Sequence, residues 1–75
     1  MPTLVWIGRI AVRIFARDHP PPHVHIWTPN GDMKIALGDL SIIQGNIRKH
    51  DYELAMSWIR GNIGFLRSEW DRLNG

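Results

Sequence analysis

Residues 17–27, RDHPPPHVHIW, crowd three histidines, an aspartate, an arginine and three consecutive prolines into one short run, and no other part of the 75-residue chain concentrates so much titratable chemistry. His23 and His25 stand two apart. On a strand that spacing puts both imidazoles on one face, where they can share a metal or divide the roles of acid and base. A divalent metal such as zinc needs a third ligand, and the local choices are His19 and Asp18. The prolines work against His19, because a straight polyproline segment of about 3.1 Å per residue sets its backbone roughly 12 Å from that of His23. A cis proline shortens the reach, but only about 5% of X-Pro bonds in folded proteins are cis. If a metal is bound, its candidate ligands are His23 and His25 with His19 or Asp18 as the third, and the prolines make the run read less as a three-histidine site than as a stiff arm leading into a two-histidine strand.

The competing chemistry is acid–base work on a phosphate. Histidine exchanges protons near neutrality, arginine stabilises phosphoryl charge, and tryptophan stacks on a base. In this reading His23 and His25 are the catalytic pair of a metal-independent ribonuclease, while Arg13, Arg17, Asp18, His19, Trp27 and Lys34 bind the ligand. A structural alternative needs no ligand at all: His19 and His23 tie down the proline loop, His25 sits on a solvated face, and Lys34 covers Trp27 as a cross-strand cation–π pair.

Several elements must position these groups. TLVWI at 3–7 reads as a first strand, and Gly8-Arg9 as a turn or a bend. From Arg9 to Arg17, Ile10, Val12, Ile14 and Ala16 alternate with Arg9, Ala11, Arg13, Phe15 and Arg17. A strand follows from that period, with its three arginines about 13 Å apart on one face. His23–Thr28 alternates again, and Asn30-Gly31 signals a two-residue hairpin leading to a return strand at Met33–Leu37. That turn pairs Trp27 with Lys34, Ile26 with Ile35, His25 with Ala36, Val24 with Leu37 and His23 with Gly38, so apolar meets apolar.

Residues 38–50 read as a connection with a short irregular strand at Ser41–Gln44. From Asp51 the period becomes helical: Leu54, Ala55, Trp58, Ile59, Ile63, Leu66, Trp70 and Leu73 form one stripe, with Asp51 as N-cap and Asn74-Gly75 as the stop. Gly61 and Gly64, each costing about 1 kcal/mol against alanine, leave open one bent helix or two short ones. One helix across the sheet is the simpler expectation.

Size and composition set outer limits. A chain of 75 residues is one domain, near the size below which a single apolar core needs help, and without cysteine it has neither disulfides nor thiolate chemistry. Its four tryptophans are expected to be large pieces of the core, and a partner subunit, including a second copy, is an expected helper. The formal charge is +2 although the sequence pI is about 9.7. Seven of the nine bases are arginine, which explains the gap and makes their placement matter more than their sum. With no apolar stretch near the roughly 20 residues that cross a bilayer and no leader-like N-terminus, the expectation is a cytoplasmic protein away from membranes.

Taken together, the opening MPT, Gly8 before an alternating strand, DHPPPHVHI at 18–26, Gly45 before a basic connection, and a final helix carrying Trp58 and Trp70 resemble the small bacterial family called domain of unknown function 4160. The centre of the resemblance is an acid followed by His-x-Pro-Pro-His-x-His, here Asp18, His19, Pro21, Pro22, His23 and His25. It implies a gene encoded beside that of another small protein, an arrangement similar to toxin–antitoxin pairs, and it carries over no catalytic residues. Gly61 and Gly64 depart from the family's more regular helix. The resulting expectation is an α+β domain, a twisted antiparallel sheet of three to four strands with a C-terminal helix packed on one face. Its leading function is that of a toxin–antitoxin-like component whose His/Arg face binds RNA or a partner protein. The alternatives are a metal-binding protein and an interaction module without chemistry.

Overall fold

The computed structural model describes residues 3–75, so the Met1-Pro2 part of the MPT opening lies outside the described residues. Five antiparallel strands follow one another across a single sheet in chain order: β1 (Thr3–Ile7), β2 (Ile10–Arg13), β3 (His23–Thr28), β4 (Gly31–Ala36) and β5 (Ile42–Gly45). Two helices close the chain, α1 (Lys49–Gly61) and α2 (Ile63–Asn74). The α+β antiparallel class is as the sequence indicates. The sheet has five strands instead of three to four, because the irregular 41–44 segment pairs fully along β4, and there are two helices instead of one.

Each hairpin has a local cause. Gly8 takes φ 59° in the two-residue link between Ile7 and Ile10, the position where a type II′ turn favours glycine. The β3–β4 turn is Pro29-Asn30 and not Asn30-Gly31. Thr28 faces Gly31, and its hydroxyl both accepts from the Asn30 N–H and donates to the Gly31 carbonyl. Pro29 has no N–H for a ladder position, so the turn moves back by one residue and the register slides by two. The slide keeps every face but changes partners: His23 faces Ala36, His25 faces Lys34, and Trp27 faces Asp32. At Gly45, φ is 89° and a Cβ would collide with the Asp32 carbonyl, so this close approach of β5 to β4 depends on glycine.

One sheet face is aliphatic apart from the buried Thr28. Ile10, Val12 and Ile14 lie beside Val24 and Ile26, then Met33, Ile35 and Leu37, and the helices cover them with Ala55, Met56, Ile59, Leu66 and Trp70. Burying one such aliphatic side chain is worth about 1.5–3 kcal/mol. The helical break falls at Asn62 (φ −129°, ψ 23°), whose side-chain amide donates to the Trp58 carbonyl and whose own N–H donates to Ile59 O. Flanked by Gly61 and Gly64, this residue ends α1 while letting the apolar stripe continue into α2. Arg48, not Asp51, occupies the N-cap of α1, and Asp51 lies in the first turn. Trp70 is buried and Trp58 packs on the core, as expected, whereas Trp6 and Trp27 are exposed on the opposite sheet face. Among the described residues no helix is long and apolar enough to cross a membrane.

Candidate metal centre

Strand alternation sends Val24, Ile26 and Thr28 into the core and leaves His23, His25 and Trp27 on the other face of β3. His23 is nonetheless buried, because the Trp70 ring from α2 packs against it with centroids 5.1 Å apart. His25 is partly exposed and meets the Phe15 ring edge-on at 4.5 Å.

The segment before β3 does not run straight. β2 ends at Arg13, four residues short of the long strand expected from the alternation, and the chain turns at Ala16-Arg17, where Arg17 adopts φ 57°. The Pro20–Pro21 bond is cis, so the proline arm folds back instead of extending as trans polyproline. Asp18 thereby returns to the histidines. Its Oδ2 lies 2.9 Å from His25 Nε2 and 3.0 Å from His23 Nε2, and the two ring nitrogens are 3.2 Å apart. Asp18, His23 and His25 are the one His/Asp/Glu group of this kind among the described residues.

Two members of this triangle, His23 and Asp18, are held from behind. His23 Nδ1–H donates to the Pro21 carbonyl at 2.7 Å, which fixes the tautomer and turns the bare Nε2 toward Asp18. The other Asp18 oxygen, Oδ1, accepts the His19 backbone N–H at 2.8 Å. The Asp18 N–H in turn donates to Asn74 Oδ1 at 2.7 Å, and the Asn74 amide donates to the Phe15 and Trp70 carbonyls. Partial burial pushes the Asp18 carboxyl up, but the hydrogen bond from His25, the His19 N–H and the nearby His23 and His25 rings hold it below the usual aspartate value. The carboxylate is thus kept ionised.

The geometry bears on metal binding because ligand atoms about 2.1 Å from one ion stand about 3.0 Å apart at octahedral angles and about 3.4 Å apart at tetrahedral ones. Edges of 2.9, 3.0 and 3.2 Å therefore match one face of a coordination octahedron. Without a metal, neutral His23 would turn its Nε2 lone pair on an Asp18 lone pair. That contact is relieved by a His25 Nε2–H shared between Asp18 Oδ2 and His23 Nε2, by an extra proton on His23, or by a cation held by all three atoms. His25 and Asp18 have side chains about one-fifth exposed and His23 only 5%, so the open side of the triangle lies toward His25 and Asp18.

The other residues singled out in the sequence fall elsewhere. The His19 side chain is exposed and only its backbone N–H joins the network, so the third potential ligand is Asp18. Arg17 is exposed in the turn and Arg9 sits in the first hairpin, so the three arginines do not line one strand. Arg13 remains on the open face. Its guanidinium lies over Trp6 and Trp27, 6.0 and 5.8 Å from their ring centroids, and takes the place beside Trp27 that the sequence suggested for Lys34. Lys34 faces His25 across the ladder. The structure also adds supporting groups that the sequence reading missed, namely the Pro21 carbonyl, Phe15 and Asn74. Nothing in the local pattern marks Asn74, which lies 56 residues from Asp18 in the chain. A larger apolar groove of about 650 Å³ beside Pro22, Leu37, Ile43 and Trp70 has no comparable convergence of ligands, and its Arg67 is engaged with the Leu37 and Gly38 carbonyls.

A family model described as "Domain of unknown function (DUF4160)" matches residues 10–71, a span that includes the whole triangle. No curated protein and no solved structure matches the chain.

Proposed function

This chain belongs to the DUF4160 family, whose description assigns no activity, and we propose that it is a metal-binding domain in which Asp18, His23 and His25 hold one divalent transition-metal ion. The observation that carries this reading is the triangle of three ligand atoms 2.9–3.2 Å apart, with His23 fixed by the Pro21 carbonyl in the tautomer a metal requires. Two histidines and one carboxylate on one face are a donor set used for Fe(II) and, with tetrahedral angles, for catalytic zinc. Three protein ligands leave further positions for water or a substrate oxygen, which such an ion polarises.

The same geometry favours coordination over acid–base catalysis by His23 and His25. A general acid or base must reach the proton that it transfers on the substrate. Here both Nε2 atoms converge on one point, and the His23 ring is buried. In the toxin–antitoxin-like setting that the family resemblance implies, the metal centre would belong to one component of a gene pair, and the open sheet face would remain available to RNA or a partner.

Elemental analysis and native mass spectrometry of protein purified without chelator provide the test. The expected result is one zinc- or iron-class ion per chain, absent from the Asp18→Asn and His25→Gln variants. Protein that stays metal-free when offered zinc, manganese and ferrous ions would instead leave the triangle as a hydrogen-bonded His–Asp–His cluster and overturn the reading.

A further inference from the structure

The sheet face that the helices do not cover is ordered in rows. Across β2, β3, β4 and β5, the register aligns Arg13, His25, Lys34 and Gln44 in one line. Two residues along the strands, about 6.8 Å away, the next line is Trp6, Ala11, Trp27 and Asp32. The small Ala11 side chain between the two tryptophans lets their rings meet edge-to-face at 6.2 Å. Both stay exposed, at 55% and 39%, although each is large enough to be core material. Arg13 and Lys34 thus stand beside two exposed indoles that take no part in the main aliphatic cluster, which packs on the other face.

Between the rows lies a hollow of about 140 Å³, rimmed by Arg13, His25, Trp27, Lys34 and Gln44. Among the described residues no carboxylate forms an ion pair with Arg13 or Lys34. Arg13 is oriented by Nε–H donation to Thr3 Oγ1 and by the two indoles. The one acid on the rim, Asp32, belongs to the aromatic row, opposite Trp27.

From this arrangement we infer that the open face binds single-stranded nucleic acid, with a backbone phosphate in the hollow between Arg13 and Lys34 and a base stacked on the exposed tryptophans. Charge complementarity selects the occupant: two cations held at fixed spacing from two aromatic rings suit a chain that alternates phosphate with planar base. The surface shares His25 with the metal triangle, but Arg13, Lys34, Trp6 and Trp27, on which the inference rests, are outside that triangle and require no ion.

Fluorescence anisotropy with a labelled ten-nucleotide oligouridylate tests this inference on the full chain, with and without chelator. Binding is expected in both conditions. Trp27→Ala should weaken it about five- to a hundredfold, the cost of one lost stacking partner. Arg13→Gln or Lys34→Gln should each lower the slope of log affinity against log salt by about 0.7, one phosphate contact on a single strand. Uridine monophosphate should bind far more weakly than the strand. The inference is overturned by absent binding, by variants that bind like the parent, by a mononucleotide that binds as well as the strand, or by binding that disappears with chelator. A protein partner that occupies this face while the oligonucleotide does not would overturn it equally.

Discussion

The two faces of one strand, β3, carry opposite kinds of chemistry. Val24 and Ile26 are fully buried against aliphatic neighbours, whereas His23, His25 and Trp27 project to the side that the helices leave open except at the Trp70 edge. The covered face is interchangeable hydrocarbon that supplies stability. The open face is specified by polar and aromatic contacts, with His23 alone of the three buried, against Trp70. The difference assigns fold and function to separate sides of a sheet five strands wide.

That separation can be broken by substitution, and the largest effect belongs to the covered side. Ile35→Ala, at a fully buried position, should cost about 2–5 kcal/mol in chemical denaturation, while the folded fraction retains its affinity for zinc. A loss of metal affinity in the folded fraction would show that the faces are coupled. Next comes His25→Gln, on the open side. It should reduce zinc affinity beyond the roughly 10–100-fold typical of losing a supporting group, with little change in the denaturation midpoint of the metal-free protein.

Asn74→Ala tests a finer point, because Asn74 contacts no proposed ligand atom and holds the Asp18 backbone from the end of α2. A loss of about 10–100-fold in zinc affinity, with all three ligands intact, is expected from isothermal titration. The smallest effects lie outside both regions. His19→Ala removes an exposed ring whose backbone N–H remains, so zinc affinity should be unchanged. Glu69 is held below the usual glutamate value by its hydrogen bond from Arg72. Its contribution to stability is present above the unfolded value and lost as pH falls through the lowered folded one. Since Arg72 is exposed and the pair is one i, i+3 contact on a helix surface, Glu69→Gln should shift the melting temperature at neutral pH only slightly.

How much of this was legible in the sequence differs between the two faces in the same way. The aliphatic side follows from local periodicity: Ile10, Val12 and Ile14, then Val24 and Ile26, alternate as strands must, and Ala55, Ile59, Leu66 and Trp70 recur as a helix face. The register does not follow as simply, because Pro29 competes with Asn30-Gly31 for the turn and a two-residue slide leaves the pattern of faces unchanged. Likewise the stripe runs through Asn62 as though α1 and α2 were one helix, since a break that preserves facing is invisible to periodicity.

On the open side, the i, i+2 spacing of His23 and His25 is visible at once. The choice of Asp18 over His19 is not, because it depends on the turn at Arg17 and on how the proline arm folds back. Asn74 could not be found locally at all, since its link to Asp18 exists only once α2 has packed on the sheet. Arg9, Arg13 and Arg17 make the same point in reverse: evenly spaced in sequence, they separate because β2 stops at Arg13.

The central claim concerns three atoms and one ion, and cobalt titration followed by visible absorption reads them most directly. Co²⁺ added to the chelator-treated protein should give ligand-field bands that saturate at one equivalent, disappear on addition of zinc, and are missing in Asp18→Asn and His25→Gln. A spectrum that remains that of hydrated cobalt, or one that both variants reproduce, would contradict the assignment of Asp18, His23 and His25 as a metal centre.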